Sequence, residues 1–189
     1  MTIFTQRVRT AAAACALLVA AAPAASAEDG RSNSSALHEV SVGLLDHDTD
    51  GLWSNFNREE GVDVNAELLF APLAEVIGGR LHPALGLSIN SSGDTSKAYA
   101  GVRYRYETVG GPFFGLGFGA AVHDGETEAV AADKKALGSR VLFHNVAEAG
   151  WRFTERYAAS IYFDHVSNAS LADENEGLDT LGLRLGYRF

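Results

Sequence analysis

The stretch YAASIYFDHVSN, residues 157–168, places His165 and Ser167 two positions apart. In an extended strand residues i and i+2 share a face, with Cα atoms about 6.6 Å apart, so an imidazole there can reach the hydroxyl. A serine is a weak nucleophile without an adjacent base, and the base needs a third group to hold its tautomer. Asp179 has the same odd parity and opens the last apolar segment. If the two segments pair symmetrically across 168–178, Asp179 falls opposite Ser167 and diagonal to His165, still within side-chain reach. A small register shift would bring it closer to the ring. The chemistry would be nucleophilic ester hydrolysis. H-x-S is also a common pair of ordinary strand residues, and Asp179 could simply end a loop; spacing alone leaves both readings open.

Competing chemistry finds little support. His38, His47, His82, His123 and His144 are scattered and form no metal-ligand pattern, so they read as structural or loop residues. There is no G-x-S-x-G elbow, P-loop or zinc helix. Gly115, Gly117 and Gly119 recur at period two with no helix pattern after them, and read as a smooth, close-packed strand face. No metal or cofactor is expected.

The elements that must position these residues are strands. Eight segments with period-2 apolar alternation cover roughly 36–46, 62–71, 81–90, 96–107, 112–123, 138–153, 157–167 and 179–189. Lengths near ten suit tilted membrane strands. The connections 47–61, 91–95, 124–137 and 168–178 are mostly long and polar, whereas 108–111 and 154–156 are very short and 72–80 is intermediate. Short periplasmic turns with longer outer loops are the mark of an even-stranded outer-membrane barrel. In the last segment Leu181, Leu183, Leu185, Tyr187 and Phe189 share one face, and Gly182, Arg184, Gly186 and Arg188 the other. An apolar band ending in aromatics suits lipid, and Arg184 and Arg188 could then pair in the lumen with acids such as Asp164. By the same parity Ile161, Phe163, His165 and Ser167 face outward, the last two near the outer rim. The expected fold is all-β, an eight-stranded antiparallel transmembrane β-barrel of the outer-membrane type. A lipocalin-like barrel or a β-sandwich is the soluble alternative.

Residues 1–27 read as a cleaved signal peptide: Arg7 and Arg9, an alanine- and leucine-rich core over about 10–22, and Ala25-Ser26-Ala27 as the cleavage site. Residues 28–189 then form one barrel domain. The only cysteine, Cys15, lies in the removed segment, so the mature chain has no disulfide. Removing Arg7 and Arg9 takes the formal charge from −9 to −11, which argues against nucleic acid as a partner. The acidic runs Asp46–Asp50 and Asp173–Glu176 read as solvated loops, with cation-bridged lipopolysaccharide contacts as the second reading.

Three elements together resemble a known family. FDHVSNAS at 163–170, NEGLD at 175–179 and LGLRLGYRF at 181–189 resemble the PagL-type lipid A 3-O-deacylases, eight-stranded outer-membrane barrels that hydrolyse the ester-linked acyl chain at position 3 of lipid A. The resemblance implies Ser167 as nucleophile, His165 as base and Asp179 as acid. It implies Asn168 or Asn175 as oxyanion donor, with Gly177 in the same positioning element. The family's acid is Glu where this chain has Asp179, one methylene shorter. Lipid A or lipopolysaccharide in the outer membrane would be the partner. The sequence leaves open whether the barrel pairs into a homodimer, as it does a non-enzymatic barrel with a structural or adhesive role.

Overall fold

The computed structural model describes residues 36–54 and 56–189; the signal-peptide reading of 1–27 lies outside the described residues. Nine strands follow in order: β1 (Leu37–His47), β2 (Val62–Phe70), β3 (Ala74–Val76), β4 (Gly79–Asn90), β5 (Lys97–Glu107), β6 (Pro112–His123), β7 (Val141–Arg152), β8 (Tyr157–Ser167) and β9 (Leu178–Arg188). Each long strand pairs antiparallel with its sequence neighbours, and β1 pairs with β9. The sheet therefore closes into an eight-stranded barrel, as expected. β3 is an addition. Pro83 has no N–H to donate, and the β2–β4 ladder ends beside it at Leu69↔Ala84. From Leu81 back to Gly79, β4 pairs with β3 instead. That hairpin occupies 72–80, where the apolar alternation is too short to register as a strand.

Alternation decides which side chains enter the barrel. On β9, Leu183 and Leu185 are exposed whereas Arg184 is buried. On β6, Phe114, Leu116 and Phe118 point out while Gly115 and Gly117 point in. The glycine face is thus internal, and Gly117 leaves the space that the Arg103 guanidinium fills. An apolar outer wall of this extent would be an aggregation hazard in water and is the ordinary surface of a barrel in lipid.

The lumen is a filled, charged core. Glu67 accepts from Arg103 at 2.7 Å and Arg184 at 3.1 Å, and the Arg184 guanidinium lies 4.2 Å above the Tyr162 ring. Glu39 binds Arg105 at 2.6 Å and Arg152 at 2.7 Å. Arg188 meets Glu107. Asp164 is a lumen acid as expected, but its partners are Lys97 and His144 rather than the β9 arginines. Parity gave the face, but partner choice depends on height along the barrel. Near the long-loop end an apolar cluster joins the charged filling: Leu137, from the connection between β6 and β7, packs with Tyr99, Leu142, Val166 and Leu178, while His47 pairs with Glu59 and Asp63.

Candidate active site

At the long-loop end of β8 and β9, His165 sits directly opposite Asp179 in the ladder. Symmetric pairing would have put Ser167 there. The two-residue shift arises because 168–177 fold into a compact loop, with Ala169 at φ 55° and Ser170 at φ 60°. Directly opposed residues bring their side chains closest together, so a short aspartate reaches the ring. Asp179 Oδ1 lies 2.6 Å from His165 Nδ1, and His165 Nε2 lies 2.9 Å from Ser167 Oγ. An ionised carboxylate can only accept, so Nδ1–H donates to Asp179 and Nε2 is left to accept from the serine hydroxyl. The arrangement has the connectivity of a nucleophile, a base and an orienting acid.

All three residues belong to the outer face of the wall, in register with Ile161 and Leu183. His165 is nonetheless only 4% exposed, and Asp179 is fully buried. The cover is the loop 48–61 between β1 and β2. Its Trp53 indole stacks on the imidazole, with centroids 4.4 Å apart and planes at 10°. The backbone N–H groups of Trp53 and Ser54 donate to Asp179 Oδ2 at 2.6 and 2.7 Å. Both carboxylate oxygens are therefore engaged.

A cleft of about 610 Å³ opens beside the serine, lined by Trp53, Phe118, Phe143, Asn145, Ala169, Ser170, Asn175 and Gly177 among others. Phe118 and Phe143 form an apolar flank, their rings 6.0 Å apart. Asn145 is the cross-strand neighbour of His165 on β7, a polar side chain in an outward row. Asn175 and Gly177 both reach this cleft. Gly177 has φ +67°, and a Cβ there would stand 3.1 Å from His165 Cε1, so glycine provides both the turn and the room for the ring. Asn168 does not face the cleft. Its amide donates to the carbonyls of Leu137 and Glu174, its Oδ1 accepts from Leu171 N, and its own N–H donates to Asn175 Oδ1. With both amide hydrogens committed, Asn168 holds the loop together, which corrects the expectation of an oxyanion donor at its side chain. Asn175 keeps one amide hydrogen beyond its 3.3 Å contact with Ser170 Oγ.

Trp53, Ser54 and Asn145 were missed from sequence. Asn145 carried a signal, being polar in a row shared with Phe143 and Ala147. Trp53 carried only an indole in an acidic loop. That loop is anchored by Asp48, which was expected to be solvated but is fully buried: it accepts from the N–H groups of Arg58 and Glu59 and pairs with Lys135 at 2.9 Å.

The family model described as lipid A 3-O-deacylase (PagL) matches residues 71–188. The crystal structure of the outer membrane enzyme PagL is similar at TM-score 0.60 and 21% identity, covering 78% of this chain and 97% of that one. The N-terminal β-barrel domain of Pseudomonas aeruginosa OprF aligns at TM-score 0.55 and 13% identity, over 82% of this chain and 98% of that one. A de novo designed transmembrane β-barrel aligns at 0.53 and 15%, over 82% and 96%. These likenesses are of fold. No curated protein sequence matches the chain.

Proposed function

Because the chain belongs to the PagL family of lipid A 3-O-deacylases, we propose that it removes the ester-linked acyl chain at position 3 of lipid A in the outer leaflet, with Ser167 as nucleophile, His165 as base and Asp179 as acid. The observation that supports this reading is the hydrogen-bonded chain Ser167–His165–Asp179 on the outer face of an outer-membrane barrel. A lipid ester can approach that face without leaving the membrane.

Ser167 Oγ attacks the acyl carbonyl while His165 Nε2 takes its proton, and Asp179 steadies the imidazolium through Nδ1–H. The tetrahedral oxyanion is met by the free Asn175 amide hydrogen and by the N–H groups of Ala169 and Ser170, which donate no other hydrogen bond among the described residues. Consecutive residues in the left-handed region are costly for non-glycine backbone, and such strain is typically held at functional sites. Collapse of the intermediate breaks the ester C–O bond, and His165 returns the proton to the sugar 3-hydroxyl. Water, deprotonated by the same imidazole, then releases the fatty acid from Ser167. Phe118 and Phe143 flank the acyl chain.

The test is purified barrel incubated with lipopolysaccharide, followed by mass spectrometry of lipid A. Wild type is expected to remove one 3-hydroxyacyl chain, and Ser167→Ala none. Lipid A left unchanged by wild type rejects the reading.

A further inference from the structure

The strands alone leave the triad incomplete. Asp179 Oδ2, the oxygen turned away from His165, has its hydrogen bonds from Trp53 N and Ser54 N, about 125 residues earlier in the chain. The outer face of the imidazole is covered by the Trp53 indole, itself 61% exposed. A planar indole against one ring face limits how far the imidazole can tilt away from Ser167.

The loop is tied where it would otherwise swing. Thr49 N donates to the Asp179 carbonyl at 2.9 Å. Asp48 is pinned by Lys135, and Arg58 by Glu176 at 3.0 Å. The loop's docking thus draws on the connections 124–140 and 168–177, and the second of these also lines the cleft.

Resting on the serine-hydrolase reading above, we infer that loop 48–61 is a working part of the catalytic centre, and that Trp53 is a positioning residue acting through His165. Its backbone fixes the acid and its indole fixes the base.

The test separates this inference from the lipid A reading by using a fluorophosphonate, which needs only an activated serine. Misplacing a reacting group by about 1 Å can cost on the order of 10²-fold. Trp53→Ala is therefore expected to slow Ser167 labelling by about tenfold or more, and Trp53→Phe, which keeps an aromatic face, to stay within about threefold of wild type. Folding of each variant is checked by its heat-shifted gel mobility. Labelling of folded Trp53→Ala at the wild-type rate overturns the inference, as does equal loss in the Phe variant. Wild type that fails to label indicts the triad itself, and wild type that labels without acting on lipopolysaccharide indicts only the substrate.

A second readout does not depend on turnover. The chain has two tryptophans, so Trp151→Phe leaves Trp53 as the only indole. Stacking of the imidazole on the indole predicts that Trp53 emission rises in His165→Gln. Equal emission in both proteins overturns the stacked contact.

Discussion

Asp179 shows how a one-methylene difference is absorbed at the scale of a single residue. The resemblance implies a glutamate at this place, yet the aspartate needs no extra reach because it lies directly across the ladder from His165. Its carboxylate has three N–H donors at 2.6–2.7 Å and no exposure. Asp179→Glu pushes the carboxylate toward the Trp53 and Ser54 amides and is expected to lower the rate by about tenfold or more, since small displacements at a base are expensive. Asp179→Asn is worse, because an amide group must point at a donor; a loss of about 10⁴, as for the corresponding triad substitution elsewhere, is the expected scale. Both are read as single-turnover rates on lipopolysaccharide. A glutamate variant faster than wild type would show that the short acid limits the chemistry.

At the scale of elements, loop 48–61 depends on Glu59, which is buried between the loop and its neighbours. Burial opposes its ionisation, but the hydrogen bonds from His47, Lys135 N and Thr95 outweigh that and lower its pKa to about 2. A carboxyl depressed in the folded state contributes stability that is full above its unfolded value of 4.5 and is lost as pH falls through about 2. Amide hydrogen exchange across 48–61 is therefore expected to be flat from neutral pH to about 4.5, after correction for intrinsic rates, and to rise on further acidification. Glu59→Gln should show the raised exchange already at neutral pH. The strands themselves were legible because period-2 alternation follows from backbone geometry. The parity of His165, Ser167 and Asp179 was legible for the same reason. The loops were not: the β8–β9 register was set by a compact 168–177 turn with left-handed Ala169 and Ser170, and the Trp53 contact joins residues 112 apart. No local pattern announces either. Asn168 shows a further limit, since its residue type suited an oxyanion donor but its hydrogens are spent on carbonyls of neighbouring loops.

The described residues form a closed barrel that is stabilised without disulfides. Closure pairs both sides of each of the eight long strands, and the lumen is filled by linked ion pairs rather than by a wide apolar core. Removing one member of a buried pair is far more damaging than the pair is stabilising, because the partner charge is stranded. Glu67→Ala would strand Arg103 and Arg184 together and is expected to cost about 3–5 kcal/mol in denaturant unfolding. Because Glu67 lies inside the wall and the proposed triad outside it, the folded fraction should still label at Ser167 at the wild-type rate. The proposed division of labour puts charge inside for stability and chemistry outside for lipid. It is tested most directly by acid-quenching wild type during turnover of lipopolysaccharide and mapping acylated peptides by mass spectrometry. A 3-hydroxyacyl group on Ser167, absent from His165→Ala, is the predicted result. Acylation at another residue, or shortened lipid A with no role for Ser167, would contradict it.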